Sequence, residues 1–496
     1  MSEAEQAEWE ERKLRLQRME SLLVDGLFGH PGVVTRARES QLRYAIGLAS
    51  LDVFEPGAAR RGGRRSGWSG GAETAADIQV RSPRLSRWRE AMLRELGPVL
   101  TQTKDSKLRV EEAARIVESK LAQMSATRDE VLEKYSDVFS ARHLDQEIGI
   151  KTLVSIAGGG GGSAYVYIGA WDVLQSAGLV PGYVIGSSMG ALIGLFRARS
   201  KEGDFDAYLN VAKSLRREEI FRYLSLQTRF GFPGVVGLTL DECLGETFQD
   251  ERGQAMQLSD LEIPYDAVVA GIRRGALDES PDEYAASHHL HEDERPGPLQ
   301  LRAQVAAQLV RLTRFVNPRV VREIVLGRDA LTRDFNALDA AGFSAAIPGL
   351  LHYDLRREDP QMEALLRKLM EREDVVALVD GGVANNVPVG PAWRQVQDGR
   401  MGTRNAYYLA FDSFHPQGGL GHFWMQPLTR LVAYQVATND RYAHQRIQFK
   451  PTLSPLQLLP PPGKLDEAVR WGRAQMASAL PRMLKFFERV RWVPPE

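Results

Sequence analysis

Three things are scarce in this sequence, and each scarcity excludes a class of protein. The 496 residues include a single cysteine, Cys243, so the chain can form neither an internal disulfide nor a cysteine-based zinc site. The 63 Lys and Arg residues nearly balance the 64 Asp and Glu residues, so no global field favours nucleic acid as a partner. The most apolar run, residues 183–196, is shorter than the roughly 20 residues of a membrane-spanning helix.

The start of the sequence carries no recognisable targeting signal. The residues MSEAEQAEWEERKLRL are acidic and lack the apolar core of a signal peptide. We therefore expect a cytoplasmic protein that touches a membrane only as a peripheral protein. With 43% hydrophobic and 26% charged residues, the chain can bury a large core.

The pattern of the sequence divides the chain into three regions. Residues 1–145 carry helical periodicity around a Gly- and Arg-rich segment at 55–80, which we expect to be flexible. Over residues 146–425, short apolar runs alternate with helical patterns, which predicts an α/β fold with a mainly parallel sheet. Residues 426–496 are predicted to form a helical extension packed on this domain. The predicted strands are TLVSIA, YVIG, PYDAVVAGI, VALVD and AYYLAFD.

An insert at about residues 273–335 interrupts the α/β pattern. Its second half, residues 298–327, alternates apolar and Arg residues. This pattern predicts either a basic amphipathic lid that touches phospholipid or a helix packed on the core with its arginines outward. Its first half holds a cluster of histidines and acids, for which a solvated loop is favoured over a metal site. The cluster comprises His288, His289, His291, Glu292, Asp293 and Glu294.

Five consecutive glycines, Gly158–Gly162, follow the predicted strand TLVSIA and precede a helical pattern. Their backbone N–H groups could stabilise an oxyanion, because glycine lets a reacting group approach closely. A phosphate-binding P-loop would need a lysine after the last glycine, and none is present. A dinucleotide fingerprint would need an acidic residue about 20 positions on, and Asp172 comes too early.

The motif Gly186-Ser187-Ser188-Met189-Gly190 lies between a predicted strand and a predicted helix. This G-x-S-x-G context is that of a nucleophile elbow, in which a sharp turn exposes the serine Oγ. Gly186 and Gly190 would let neighbouring backbone pass close to the turn. Ser188 is therefore the candidate nucleophile.

A third motif, LVDGGVANNVPVG at residues 378–390, ends a predicted buried strand on Asp380. An aspartate there could meet a serine at the edge of the sheet, and Gly381 and Gly382 allow the chain to turn sharply. Alone, the motif would be explained by an aspartate that caps its own turn. The other two motifs favour the interpretation that Asp380 meets the serine.

Together the three motifs resemble the patatin-like phospholipase family in order and spacing. The segments LSDLEIPYDAVVAGI (258–272) and FSAAIPGLL (343–351) are also similar to that family. The resemblance covers about residues 150–415. It implies a three-layer α/β/α sandwich, a lipid acyl hydrolase, a Ser188–Asp380 dyad, and neither cofactor nor metal.

The resemblance also implies an oxyanion hole formed by Gly158, Gly159, Gly160 and Gly161. For Asp380 to act as a base near neutral pH, its site should raise the carboxyl pKa by burial. One departure from the family pattern weakens the oxyanion assignment. Members usually carry Arg or Lys just after the glycines, whereas this chain has Gly162 or Ser163 there.

Two alternatives remain open at this level. A Ser–Asp–His esterase of the α/β-hydrolase type could use His415, His422 or His444 after Ser188 and Asp380. A catalytically weakened homologue could instead bind lipid or act as a scaffold. The partners that we expect are a lipid substrate, a transiently contacted membrane surface, and an activating protein or second copy bound through the N-terminal helices.

Overall fold

The computed structural model describes residues 2–54, 77–222, 228–287, 307–308, 314–315, 317–415 and 426–495, and the side chains of 426–431 are excepted. Most of the Gly- and Arg-rich segment, the histidine cluster at 288–291 and His422 lie outside the described residues. The chain forms two compact units. The first comprises Met1–Leu153, Val396–Tyr407 and Ala479–Glu496, and the second comprises Val154–Gln395 and Tyr408–Ser478.

The first unit is helical, and its sequence explains why. Its first helix, Glu3–Gly29, begins after a capping box in which Ser2 Oγ accepts a hydrogen bond from the Glu5 N–H. Leu16, Met19, Leu23 and Leu27 recur at three- and four-residue spacing and are buried. The helices are α1 (Glu3–Gly29), α2 (Arg36–Ser50), α3 (Pro83–Ala91), α4 (Gly97–Gln102), α5 (Ser106–Glu118), α6 (Leu121–Lys134) and α7 (Ala141–Gly149). A short antiparallel pair, β1 (Val53–Phe54) and β2 (Ile78–Gln79), completes this part.

The second unit is built on a mixed sheet whose strands are mostly parallel. All five predicted strands are present. The main sheet contains β3 (Thr152–Ala157), β4 (Tyr183–Ser187), β7 (Tyr265–Arg273), β8 (Val321–Leu326), β10 (Val375–Asp380), β11 (Ala406–Asp412) and β12 (Gln445–Gln448). Their order is β10-β7-β4-β3-β11-β12, and β8 also pairs with β7. The predicted α/β class with a mainly parallel sheet is confirmed, and two strands, β8 and β10, run antiparallel to β7.

Helices flank this sheet, as the α/β class requires, and a small second sheet lies in the same unit. The helices are α8 (Val166–Ser176), α9 (Met189–Arg199), α10 (Phe205–Ser214), α11 (Arg217–Ile220), α12 (Leu240–Leu244), α13 (Pro281–Ser287), α14 (Ala337–Ser344), α15 (Pro360–Glu373), α16 (Val389–Gln397), α17 (Gln426–Asn439) and α18 (Pro462–Phe487). The small sheet has the order β5 (Phe221–Arg222), β6 (Gly234–Leu238), β9 (Gly349–His352). No helix in the described part of the chain is both long and apolar enough to cross a membrane.

The prediction of a basic amphipathic helix over residues 298–327 is wrong at its carboxyl end. Residues Val321–Leu326 form strand β8, which pairs antiparallel with β7 from Ala267 to Ile272. Pro318 disfavours a continuing helix, and the β-branched residues after it fit a pleated strand. The start of the segment, residues 298–306, lies outside the described residues.

The register of the main sheet brings two motifs to the same place. Ser187 at the end of β4 pairs with Val268 of β7, and Asp380 at the end of β10 pairs with Val269. Because β10 runs antiparallel to β7, its carboxyl end meets that of β4 in the middle of β7. The sheet therefore brings Ser188 and Asp380 together along one edge of β7, while β8 pairs with the opposite edge.

Candidate active site

The turn between β4 and α9 carries Ser188 in a strained conformation. Ser188 has φ 55° and ψ −132°, a positive φ that side chains other than glycine rarely adopt. Such a residue costs on the order of 1–3 kcal/mol and persists only where its surroundings enforce it. Its N–H donates to Ser344 Oγ at 2.9 Å, and Ser344 Oγ donates to the Val268 carbonyl at 2.5 Å. These two hydrogen bonds fix the backbone of the turn at Ser188.

The glycines on either side of the turn are required by close packing. A side chain on Gly190 would lie 2.3 Å from the Ala157 carbonyl oxygen and 2.4 Å from that of Gly158. A side chain on Gly186 would lie 2.6 Å from the Gly190 carbonyl oxygen. All three distances are shorter than those that real side-chain carbons show, so the elbow can form only with glycine at these two positions.

Asp380 is in direct contact with the serine. Ser188 Oγ donates to Asp380 Oδ2 at 2.5 Å, and Asp380 Oδ1 accepts from the Gly382 N–H at 2.6 Å. The Asp380 N–H in turn donates to the Ala346 carbonyl at 2.8 Å. Both side chains are buried: Ser188 is 8% exposed and Asp380 4%. Both carboxylate oxygens are thus held, one of them on the serine hydroxyl.

Burial changes the acidity of this carboxyl group. Loss of hydration raises the pKa of Asp380 to about 7, although the hydrogen bonds from Ser188 and Gly382 oppose the rise. The expectation of a raised pKa is borne out. A carboxylate that gains its proton near neutral pH can accept and return a proton within one reaction cycle.

The same pKa shift predicts how Asp380→Asn changes stability. Between about pH 4 and 7 the folded chain keeps a proton on Asp380 that the unfolded chain has lost, so the free energy of unfolding falls as the pH rises through this interval. A rise from 3.8 to about 7 corresponds to about 4 kcal/mol. Asp380→Asn removes this cost, so we expect it to be more stable than the wild type at pH 8 and to lose most of that advantage by pH 4.

Urea unfolding of the two proteins at pH 4, 6 and 8 measures the difference. The control is Asp137→Asn, which neutralises an exposed carboxylate and should leave the free energy of unfolding nearly unchanged at all three pH values. A stability gain for Asp380→Asn that is equal at all three values would show that Asp380 does not titrate in this range.

The glycine loop lies directly beside the serine. A side chain on Gly159 would come within 2.9 Å of Ser188 Cβ. The N–H groups of Gly158 and Gly159 already donate to the carbonyls of Phe411 and Asn386, each at 2.9 Å. Among the hydrogen bonds of the described residues, none uses the N–H of Gly160, Gly161 or Met189. Two of the four predicted oxyanion donors are therefore engaged, and two are free.

A network of buried hydroxyl groups is hydrogen-bonded to backbone carbonyl groups of the glycine loop. Ser163 Oγ donates to the Gly160 carbonyl at 2.7 Å and lies 3.0 Å from Ser413 Oγ. The Tyr167 hydroxyl lies 2.9 Å from Ser413 Oγ and 3.0 Å from the Gly158 carbonyl. The side chains that hold the loop on this side are therefore neutral hydroxyls. Sequence reasoning missed this network, because Ser163 and Ser413 are 250 residues apart.

A cavity of about 100 Å³ has Ser188 in its wall. Gly161 and Met189 also line it, so the free N–H donors belong to residues at the same cavity. Aliphatic and aromatic side chains from α8, α9, α10 and the small sheet make up most of the remaining wall. These side chains include Ile168, Leu192, Phe196, Tyr208, Val211, Phe221, Leu238 and Leu351.

The described histidines lie away from the Ser188–Asp380 contact. His415 Nε2 is 3.2 Å from Thr452 Oγ1, and His444 Nδ1 accepts from the Tyr408 N–H at 3.1 Å. The direct 2.5 Å contact between Ser188 and Asp380 leaves no space for an imidazole between them. In the described residues no group of three or more His, Cys, Asp or Glu side chains is placed to hold a metal ion.

The family model described as patatin-like phospholipase matches residues 154–393. The matched range contains the glycine loop, Ser188 and Asp380, and it ends before β11. No curated protein matches the chain.

Proposed function

We propose that the protein is a lipid acyl hydrolase that acts through Ser188 and Asp380, since residues 154–393 match the patatin-like phospholipase family model. The reaction is cleavage of fatty-acyl ester bonds in phospholipids or related lipids. The observation that carries this proposal is the contact of Ser188 Oγ with Asp380 Oδ2 at 2.5 Å in the wall of an apolar cavity. A fatty-acyl chain is the ligand chemistry that such a cavity suits.

In the proposed first half-reaction, Ser188 Oγ attacks the ester carbonyl carbon while Asp380 Oδ2 accepts its proton. The carbonyl oxygen gains negative charge, and the tetrahedral intermediate collapses as the C–O bond to the leaving alcohol breaks. Asp380 returns its proton to that alcohol oxygen. In the second half-reaction water attacks the acyl-enzyme, Asp380 accepts the water proton, and the fatty acid leaves as Ser188 regains its hydrogen.

The developing oxyanion requires hydrogen-bond donors that are not already used. We assign this role to the N–H groups of Gly160, Gly161 and Met189, because those of Gly158 and Gly159 donate to backbone carbonyls. Gly161 and Met189 line the same cavity as Ser188. Loss of one such donor typically costs about 10²–10³ in turnover.

The network of buried hydroxyl groups gives a test of loop positioning. We expect Ser163→Ala to reduce kcat about tenfold with little change in KM, because the Gly160 carbonyl loses its anchor and a misplacement of about 1 Å can cost up to ~10². Ser163→Thr keeps a hydroxyl at this position and should be less affected. Kinetics on a short-chain ester check both variants, and equal kcat in Ser163→Ala and the wild type would contradict the role.

The proposed substrate class indicates where the reaction takes place. A phospholipid in a bilayer must be reached at the membrane surface, so we propose transient membrane contact. An activating protein or second copy bound through the helical unit also remains a proposal. The two proposed half-reactions use side chains and N–H groups of this chain together with water.

The proposed activity is tested by incubating the wild type with vesicles of mixed phospholipids without added metal. Mass spectrometry identifies the fatty acids and lysolipids that are released. Fatty-acid release supports the proposal. An inert protein whose Ser188 is nevertheless labelled by a fluorophosphonate would have an assembled site that needs an activator or another lipid. An inert protein in which Ser188 is not labelled would overturn the proposal.

A further inference from the structure

The cavity at Ser188 has one wall that lies outside the matched domain. Leu458 and Leu459 line it together with Ser188, Gly161 and Met189, whereas the family match ends at residue 393. Both leucines are partly buried and pack against the main core of the second unit. We propose that Leu458 and Leu459, which the segment formed by residues 454–459 holds at the cavity, determine which acyl chains this enzyme accepts, an inference that rests on the proposed hydrolase function.

The 454–459 segment is fastened to the glycine loop by backbone contacts. The Gly162 N–H donates to the Pro455 carbonyl at 3.0 Å. The Tyr165 hydroxyl, on the turn that follows the loop, donates to the Leu458 carbonyl at 2.9 Å. Two hydrogen bonds thus fix the segment at both ends against the residues that lead into α8.

The fit between segment and loop leaves no space for larger side chains. A side chain on Gly162 would lie 2.0 Å from the Gln457 carbonyl oxygen, and one on Gly161 would lie 2.2 Å from that of Pro455. The space into which a residue at position 162 would extend is therefore filled by the segment. This contact accounts for glycine, rather than a larger residue, at position 162.

Close packing against the loop makes the two leucines a rigid wall. The side chain on Gly161 would also come within 3.1 Å of Leu458 Cδ2, so Leu458 lies against a residue of the proposed oxyanion loop. A wall that is hydrogen-bonded on its backbone cannot readily collapse when a side chain is shortened, so truncation leaves added space in the cavity. The size of residues 458 and 459 should then set the length or bulk of the acyl chain near the reacting carbonyl.

The test compares Leu458→Ala, Leu459→Ala and the wild type on p-nitrophenyl esters from butyrate to palmitate. Leu456→Ala is the matched control, because Leu456 belongs to the same segment but is 46% exposed and does not line the cavity. We expect the ratio of kcat/KM for the long ester to that for the short ester to rise about tenfold or more in the cavity variants, since one methylene in an apolar pocket is worth about 10-fold or more. Leu456→Ala should keep the wild-type ratio.

Substitutions in the opposite direction complete the design. Leu458→Phe and Leu459→Phe should shift the preference towards short esters, and Leu458→Val and Leu459→Val serve if an alanine variant fails to fold. An unchanged chain-length profile in every folded cavity variant, with an active wild type, would overturn this inference and leave the hydrolase function standing. A wild type that neither turns over any ester nor reacts with a fluorophosphonate at Ser188 would overturn the hydrolase function, and the inference with it.

Discussion

Ser188→Ala will reduce fatty-acid release from phospholipid vesicles to the background rate, a loss of roughly 10⁴- to 10⁶-fold. In the proposed mechanism the variant lacks the oxygen that attacks the ester carbonyl, and no other group of the described cavity wall is a nucleophile held by a carboxylate. Initial rates measured with the same vesicles and equal protein concentrations give the comparison.

The neighbouring serine provides a matched control for this loss. Ser187 precedes Ser188 in the same motif and is fully buried, but its Oγ has no hydrogen-bond partner among the residues that the structure describes. Ser187→Ala removes a hydroxyl one residue away without breaking a bond, so it should keep nearly wild-type activity and stability. Activity retained in Ser188→Ala, or lost equally in both variants, would contradict the nucleophile assignment.

Asp380→Asn is expected to lower kcat/KM by about 10²- to 10⁴-fold above pH 7, because the amide cannot accept the proton of Ser188. The pH dependence should change as well. The wild-type value should rise about tenfold per pH unit below pH 7 and level off above it, since burial raises the pKa of Asp380 to about 7 and only the ionised carboxylate is a base. The residual activity of Asp380→Asn should lack this inflection.

Kinetics on a soluble ester between pH 5 and 9 measure both effects. A soluble substrate avoids the pH dependence of vesicle surfaces. An inflection that survives unchanged in Asp380→Asn would assign the titrating group to another residue. His415→Ala and His444→Ala should retain activity, because neither ring contacts the Ser188–Asp380 pair.

Much of the site could be predicted from the sequence because its signals are local. The elbow needs glycine at positions 186 and 190 because neighbouring backbone approaches closely there. The G-x-S-x-G motif contains both glycines, so the sequence itself indicates the elbow. Asp380 is the last residue of a strand whose other residues are apolar and mostly buried. A short apolar run followed by glycines indicates such a strand in the sequence. The segment FSAAIPGLL indicates by its sequence only a similarity to the family. In the structure its Ser344 accepts from the Ser188 N–H, and its Ala346 carbonyl accepts from the Asp380 N–H.

The features that could not be predicted depend on contacts between distant residues. Strand β8 is specified by its pairing with β7, whereas its sequence of apolar and charged residues also fits a helix. The anchoring of the glycine loop by Ser413 and by the 454–459 segment involves residues about 250 to 300 positions away. The engagement of Gly158 and Gly159 likewise depends on Asn386 and Phe411, so a run of equivalent glycines in the sequence becomes a set of unequal donors in the fold.

The most direct measurement of the central claim is the rate of fluorophosphonate labelling as a function of pH, with the modified residue identified by peptide mass spectrometry. One experiment reports both the nucleophile and the group that activates it. We predict a single adduct on Ser188 that forms faster as the pH rises through about 7, where the pKa of Asp380 lies, and then at a constant rate. An adduct on another residue, or labelling of Ser188 at a rate independent of pH, would contradict the account of a serine activated by Asp380.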